Sequence, residues 1–162
     1  MKKTFVDYED WEMLIIETNI KNIADVFKEA VKQRYSLSDF SLFFLTSDTF
    51  NNYFSDQTLN SQSCKYVLKH FEKEINSKNI SLSKSIGMNP DDLTTAESIG
   101  ETFAWWKQTD DEYPVELIKN IDYEWLCKYA PNIFKQDCSD AIHIIENSLK
   151  TNENEVLKDY DI

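Results

Sequence analysis

The spacing of apolar residues constrains the fold of this chain most, because it recurs every three or four positions in several stretches. Such spacing places side chains on one face of an α-helix, whereas a half-buried strand alternates every second residue. The clearest stretch follows Asn19 and contains Ile20, Ile23, Ala24, Phe27, Ala30 and Val31. It predicts an amphipathic helix that is capped by Asn19 and ends near Tyr35.

Four further helices are predicted from the same periodicity and from residues that favour helix starts. They begin at Asn60 or Ser61, at Pro90 after Asn89, at Pro114, and at Asp137 or Ser139. Pro131 is expected to end the helix that Pro114 begins. The residues expected to face inward on these helices include Val67, Leu68, Phe71, Ile75, Ala96, Gly100, Phe103, Ala104, Leu117, Ile118, Ile121, Trp125, Ala141, Ile142 and Ile145.

Two shorter stretches predict strands. Phe40–Thr46 is apolar and aromatic, and Ile80, Leu82 and Ile86 alternate with Ser and Lys. Residues 47–60 fit either a hairpin strand or a loop pinned by aromatic residues, and residues 5–17 fit either a strand or a helix. This order predicts an α+β fold, in which a small β-sheet is backed by amphipathic helices and the C-terminal half is mainly helical.

The length and composition of the chain predict one folded unit. The chain has 162 residues, including 10 Phe, 8 Tyr and 4 Trp, which is enough apolar material for a self-sufficient core. We expect a single globular domain over residues 1–150. Residues 151–162 are polar and acidic, and we expect them to form a C-terminal tail that Val156 and Leu157 could dock onto the domain.

The negative charge is concentrated in the C-terminal part of the chain. The net charge is −12, and residues 91–162 contain 17 Asp and Glu against 6 Lys, a net of −11. Charge of one sign attracts a partner of the opposite sign over a long range, and aromatic side chains supply holding energy at an interface. The composition therefore predicts a surface that binds a basic macromolecule.

The partner-binding surface is predicted in a narrower band around three tryptophans. Some acids outside this band, such as Asp91, Asp92 and Asp140, have a local explanation at helix starts. The adjacent Trp105 and Trp106 cannot share one helix face, so one is expected to point outward or into a neighbouring loop. The predicted binding residues are Glu101, Trp105, Trp106, Asp110, Asp111, Glu112, Glu116, Asp122, Glu124 and Trp125. The alternative is a solvated acidic surface with one tryptophan in the core and one on its flank.

The composition argues against several other classes of function. Arg34 is the only arginine, and arginine is the preferred reader of phosphate and guanine, so direct nucleic-acid binding is not expected. The two glycines do not form a phosphate-binding loop. Asp140, His143 and Glu146 contain one H-x-x-E where dimetal sites need matched E-x-x-H motifs, so we expect no metal and no cofactor. No catalytic residues are assigned, and the chain is not expected to be an enzyme.

The cellular location is predicted from the cysteines and from hydropathy. Cys64, Cys127 and Cys138 are odd in number and widely spaced, which is typical of reduced thiols. The chain has no apolar run long enough to cross a membrane, and acidic residues interrupt any signal-peptide core near its start. We therefore expect a cytoplasmic protein that does not bind a membrane, of unknown oligomeric state.

The order of these segments resembles the small acidic immunity proteins of bacterial polymorphic toxin systems. The resemblance covers the first amphipathic helix, the Phe40–Thr46 segment, the Ser- and Asn-rich turn into the Cys64–Ile75 helix, and the Trp105-Trp106 region. It implies a protein that masks a basic toxin or nuclease domain sterically and electrostatically. Two alternatives remain open: a phage-encoded inhibitor that mimics nucleic acid against a host defence nuclease, and a non-catalytic structural or adaptor module.

Overall fold

The periodic apolar stretches form helices, but the stretches predicted as strands do not form a sheet. The structure is a computed structural model that describes residues 8–85 and 90–149. It is all-α, with 73% of the described residues in helices and 2% in strand conformation. The helices of the described part are α1 (Asp10–Lys32), α2 (Leu37–Leu45), α3 (Asp48–Tyr53), α4 (Gln57–Asn60), α5 (Cys64–Ser77), α6 (Pro90–Thr109), α7 (Val115–Ile118), α8 (Tyr123–Lys128), α9 (Ala130–Ile133) and α10 (Cys138–Ser148).

The predicted α+β class is wrong, and the main cause is the segment Phe40–Thr46. This segment forms most of α2, with Thr46 as the C-cap; α2 follows Ser36 and is buried at Phe40, Ser41, Phe44 and Leu45. A short run that is apolar on all sides has no periodicity that separates a buried strand from a buried helix. Phe40 and Phe44 are one helical turn apart, and their stacked rings are 5.1 Å between centroids.

The second predicted strand, at Ile80, Leu82 and Ile86, is reduced to one isolated β-bridge. Residues 80–85 form no regular helix or strand, and Tyr35 and Lys84 form an isolated antiparallel bridge. Ser36 N–H donates to the Ser83 carbonyl at 2.8 Å, and Ser85 N–H donates to the Arg34 carbonyl at 2.7 Å. Ile86 lies outside the described residues. This segment therefore pairs with the turn after α1, where Arg34 adopts a positive φ of 69°.

Of the ambiguous residues 5–17, those from Asp10 onward form a helix that is longer than expected, whereas residues 5–7 lie outside the described residues. α1 begins at Asp10, where the Glu9 and Glu12 side chains form a reciprocal capping box. The predicted Asn19 cap is wrong, because Asn19 lies buried inside α1. Its amide donates to Gln108 Oε1 at 2.9 Å and so joins α1 to α6. Asn19 therefore does not cap a helix, and its side chain forms its hydrogen bond across the interface between α1 and α6.

Residues 47–60 form α3 and α4 instead of a hairpin strand or a loop. Ser47 and Asp56 cap these two short helices by accepting hydrogen bonds from Phe50 N–H and Leu59 N–H. The expected start of α5 at Asn60 or Ser61 is also wrong, because the cap is Ser63. Inside α5 the predicted inner face is confirmed, because Val67, Leu68, Phe71 and Ile75 are all buried.

The helix predicted between Pro114 and Pro131 is broken into α7 and α8. Asp122 interrupts it, because the Asp122 carboxylate caps α8 by accepting from the Glu124 and Trp125 N–H groups. Pro131 does not end a helix but occupies the first turn of α9, where its missing N–H costs nothing. The start of α10 is confirmed at Asp137, which accepts from the Asp140 N–H.

The core surrounds α6, which packs against α1, α2 and α10. A cluster of aromatic rings fills the space between α1, α2, α3 and α5. Phe44 lies at its centre, with ring centroids 5.1–5.5 Å from four other buried rings. These rings belong to Phe27, Phe40, Phe50 and Phe71.

Glu74 of α5 fixes the start of α3. Its carboxylate accepts hydrogen bonds from Asp48 N–H at 2.9 Å, Thr49 N–H at 2.8 Å and the Thr49 hydroxyl at 2.7 Å. Lys78 forms an ion pair with it at 3.0 Å. Burial alone raises the pKa of Glu74, but the hydrogen bonds outweigh burial and hold that pKa below its ordinary value.

We expect Glu74→Gln to lower the free energy of unfolding by about 1–3 kcal/mol at neutral pH, because the two donors of the buried Thr49 lose a charged acceptor. The pKa of Glu74 is lower in the folded state, so its contribution is complete above the unfolded pKa and is lost as the pH falls through the folded pKa. Urea unfolding at several pH values measures this. Glu17→Gln, at an exposed site, is the control. A Glu74→Gln deficit that stays constant down to pH 2 would contradict the assignment.

Two further predictions concern membrane-spanning helices and the C-terminal tail. Among the helices within residues 8–85 and 90–149, none has both the length and the apolarity to span a bilayer. The predicted tail over residues 151–162 lies outside the described residues, as does Asn89 at the start of α6.

Candidate functional site

The predicted binding band covers the second half of α6, α7, α8 and the two loops between them. α6 ends at Thr109, and Asp110 N–H still donates to the Trp106 carbonyl at 3.1 Å. Short helices and loops then carry the chain to Trp125. We name residues 110–124 the acidic segment, because it contains six acids and only one Lys, Lys119.

The tryptophans of the band are part of the core. Trp105, Trp106 and Trp125 are 6%, 0% and 6% exposed. We expected one of the adjacent pair to point outward or into a neighbouring loop. Neither points to solvent, but Trp106 contacts the following loop through Tyr113, at 5.5 Å between ring centroids. Both can be buried because α6 packs against helices on several sides. The proposed aromatic anchors are therefore not at the surface.

Three of the predicted acids have structural partners. Asp110 accepts from the Trp106 indole N–H at 3.1 Å and from Glu112 N–H at 2.9 Å, so it holds the loop against the core. Asp122 caps α8, and Glu116 pairs with Lys119 at 3.2 Å. These contacts explain the three acids without any partner molecule.

The remaining acids of the acidic segment have no such explanation. The carboxylates of Asp111, Glu112 and Glu124 are exposed, and they form no hydrogen bond or ion pair with any residue in the described ranges. Two large apolar side chains are exposed in the same segment, Val115 at 39% and Leu117 at 41%. The sequence analysis placed Leu117 in the core, which is wrong. The segment therefore combines unpaired carboxylates with exposed apolar groups.

Glu101 lies apart from the acidic segment. It lies within α6, nine residues before Asp110. Glu101 lines a groove between α1 and α6 together with Glu97 and Lys28. Burial raises the pKa of Glu101, the Glu97 carboxylate raises it further, and Lys28 opposes the shift. The ten predicted residues thus do not form one surface.

The histidines and cysteines do not assemble into a metal site within the described residues. No group of three or more His, Cys, Asp or Glu that could hold a metal ion occurs in the searched, described portion. His143 Nε2 lies 3.1 Å from the Asn147 amide, and His70 Nδ1 lies 3.1 Å from the Thr49 hydroxyl. Burial raises the pKa of the thiols of Cys64, Cys127 and Cys138, so these sulfurs are protonated and weakly nucleophilic at neutral pH.

The sequence analysis missed an exposed apolar face at the start of α1. Trp11, Leu14 and Ile15 are all more than half exposed. Their spacing of three and four residues was the available signal, because it places them on one side of a helix. The open choice between strand and helix for residues 5–17 hid this pattern. The face borders a groove between α1, the end of α3 and the end of α6.

Comparison with protein-family models, with curated proteins and with solved structures finds no match to this chain. The resemblance to immunity proteins therefore remains an expectation from the sequence. The evidence for function is the surface chemistry of the acidic segment.

Proposed function

We propose that this chain is a non-catalytic inhibitor that binds and masks a basic protein domain. The class of partner that the sequence resemblance implies is a nuclease-type toxin, for which the chain would act as the immunity protein. The observation that carries this proposal is the acidic segment, where Asp111, Glu112 and Glu124 are exposed beside Val115 and Leu117 and have no partner within residues 8–85 and 90–149. The proposed partner is a protein, and the chain contacts neither nucleic acid nor membrane directly.

Electrostatic steering accounts for the first stage of binding. The net charge of −12 produces a field that attracts a cleft lined by Lys or Arg, and the unpaired carboxylates are available to pair with it. Like charges held close together on a fold repel one another, and a basic partner relieves this repulsion. The association rate should therefore fall steeply as the salt concentration rises.

Apolar contact accounts for the second stage. Buried tryptophans cannot exclude water from an interface unless the core opens, so Val115 and Leu117 replace them in our proposal. Apolar groups at the centre of an interface with a polar rim are typical of protein–protein contacts. Removing these two side chains should raise the dissociation rate more than it lowers the association rate.

The cysteines favour a reducing compartment for this function. All three are free in the structure, and burial raises their pKa, that of Cys127 to about 12. Thiols of this kind persist where disulfide formation is suppressed, so we place the proposed complex in the cytoplasm.

The test begins with capture of basic proteins from source-cell lysate on the immobilised chain at low salt. The captured protein is then purified and titrated with the wild type and with Asp111→Lys/Glu112→Lys. We expect the double variant to weaken binding about tenfold or more, because both carboxylates face the partner and reversal creates like-charge contacts. If the partner is a toxin, the wild type restores growth on co-expression and the variant does not.

A matched control separates a local surface from a general charge effect. Glu17→Lys/Asp140→Lys also moves the net charge from −12 to −8, at exposed residues outside the acidic segment. We expect this control to retain binding within about threefold at physiological salt, because screening limits the influence of distant charges. Absence of any captured basic protein, or equal losses in the two double variants, would refute the proposed surface.

A further inference from the structure

An open groove of about 500 Å³ lies between the first turns of α1, the end of α3 and the last turn of α6. Its volume is within the range of small-molecule sites. The residues that define its chemistry are Trp11, Ile15, Ile16, Phe54, Lys107 and Gln108. None of them belongs to the acidic segment, so the groove is a separate surface.

One wall of the groove is apolar and exposed. Trp11 is 65% exposed and Ile15 is 52% exposed, and their separation of four residues places them one above the other on α1. Leu14 extends the same face, and Phe54 contributes a half-buried ring from the end of α3. Contiguous exposed apolar side chains of this size mark a binding surface more often than isolated ones do.

The amides of Asn19 and Gln108 form the polar floor of the groove, and they are already hydrogen-bonded. Asn19 donates to Gln108 Oε1 at 2.9 Å, and Gln108 Nε2 donates to the Ile16 and Ala104 carbonyls at 3.3 and 3.1 Å. These bonds fix the amide groups between α1 and α6. The floor is therefore rigid, and its amides have few donors left for a ligand.

Lys107 supplies the positive charge in the groove. Its side chain is half-buried, and its ammonium lies 5.0 Å from the centre of the Tyr113 ring. It forms no ion pair with a residue in the described part of the chain. Burial lowers the pKa of Lys107, which reflects a cation deprived of water. Glu12 also lines the groove, but its carboxylate accepts Glu9 N–H in the capping box of α1 at 3.2 Å.

We propose that this groove binds a small amphipathic monocarboxylate, a molecule with an apolar chain or ring next to a single carboxylate. The apolar part lies along Trp11 and Ile15, and the carboxylate pairs with the Lys107 ammonium. An ion pair that replaces the lost hydration of a half-buried lysine is worth more than a pair between fully exposed groups. The proposal is independent of the acidic segment and of the inhibitor function.

The experiment uses dodecanoate as the probe, below its micelle concentration, with the full chain. Dodecanol is the neutral comparison. Trp11 reports binding by fluorescence, since it is the exposed tryptophan among the four in the chain. We expect wild type to bind dodecanoate about tenfold or more tightly than dodecanol. Lys107→Met should remove this preference without changing dodecanol binding, and Lys107→Arg should keep it.

Lys69→Met is the matched control, because Lys69 is exposed on α5 away from the groove. It should leave both affinities unchanged. Calorimetry with Trp11→Phe checks that the fluorescence signal comes from the groove, and Lys107→Gln replaces Lys107→Met if the latter loses its helical circular dichroism. Equal binding of the two probes to wild type, no binding of dodecanoate, or a preference that persists in Lys107→Met would overturn the proposal.

Discussion

Phe44→Ala should lower the free energy of unfolding by about 3–5 kcal/mol, the largest effect that we expect from a single truncation. Phe44 is fully buried, and its ring touches four other aromatic rings at centroid distances of 5.1–5.5 Å. Truncation removes edge-to-face and stacked contacts and leaves a cavity between α1, α2, α3 and α5. A loss of this size is a large part of the stability of a typical domain.

Urea or thermal unfolding, followed by circular dichroism, measures this loss. Tyr66→Ala is the control, because Tyr66 is an aromatic residue exposed on α5. It should change the free energy of unfolding by less than about 0.5 kcal/mol. If Phe44→Ala and Tyr66→Ala destabilise the chain equally, the segment around Phe44 is not the buried helix described above.

Gly100→Ala should destabilise the chain by about 1–3 kcal/mol, although alanine is the better helix former by about 1 kcal/mol. Gly100 lies where α6 crosses α1. A Cβ at this position would lie 2.8 Å from Ala24 Cα, 3.2 Å from Ala24 N and 3.1 Å from the Phe27 ring. Two of these atoms belong to the backbone, so the helices must move apart to accept the methyl group.

Thr94→Ala, at an exposed position of the same helix, gives the opposite sign. Helix propensity alone predicts a gain of about 0.5 kcal/mol there, because the β-branched side chain is removed. The melting temperature of each variant, compared with that of wild type, gives the sign of each stability change. A Gly100→Ala protein that melts at or above the wild-type temperature would show that α1 and α6 do not approach this closely.

Helices could be predicted best from the sequence where only one face of the helix is buried. The periodicity of Val67, Leu68, Phe71 and Ile75 located the inner face of α5, and Asp137 located the start of α10. α2 was mistaken for a strand, because a segment buried on several sides shows no period. The break at Asp122 was missed because Asp is compatible both with a helix interior near a start and with a cap.

The candidate site was predictable only in part. Charge is additive along a sequence, so the acidity of residues 110–124 was visible without a structure. The burial of a side chain cannot be summed along a sequence in this way, since it depends on which elements surround its helix. α6 packs against α1, α2 and α10, which buries Trp105 and Trp106 together and leaves Val115 and Leu117 as exposed apolar groups of the acidic segment.

The central claim is that a basic protein binds the acidic segment specifically. The most direct test is the dissociation constant of the captured basic partner for Asp111→Lys/Glu112→Lys relative to that for Glu17→Lys/Asp140→Lys, at one physiological salt concentration. The two proteins have the same net charge, so any difference is local. We predict a ratio of about three or more in favour of the Glu17/Asp140 variant. A ratio of one would contradict the account, because the partner would then recognise overall charge and not this surface.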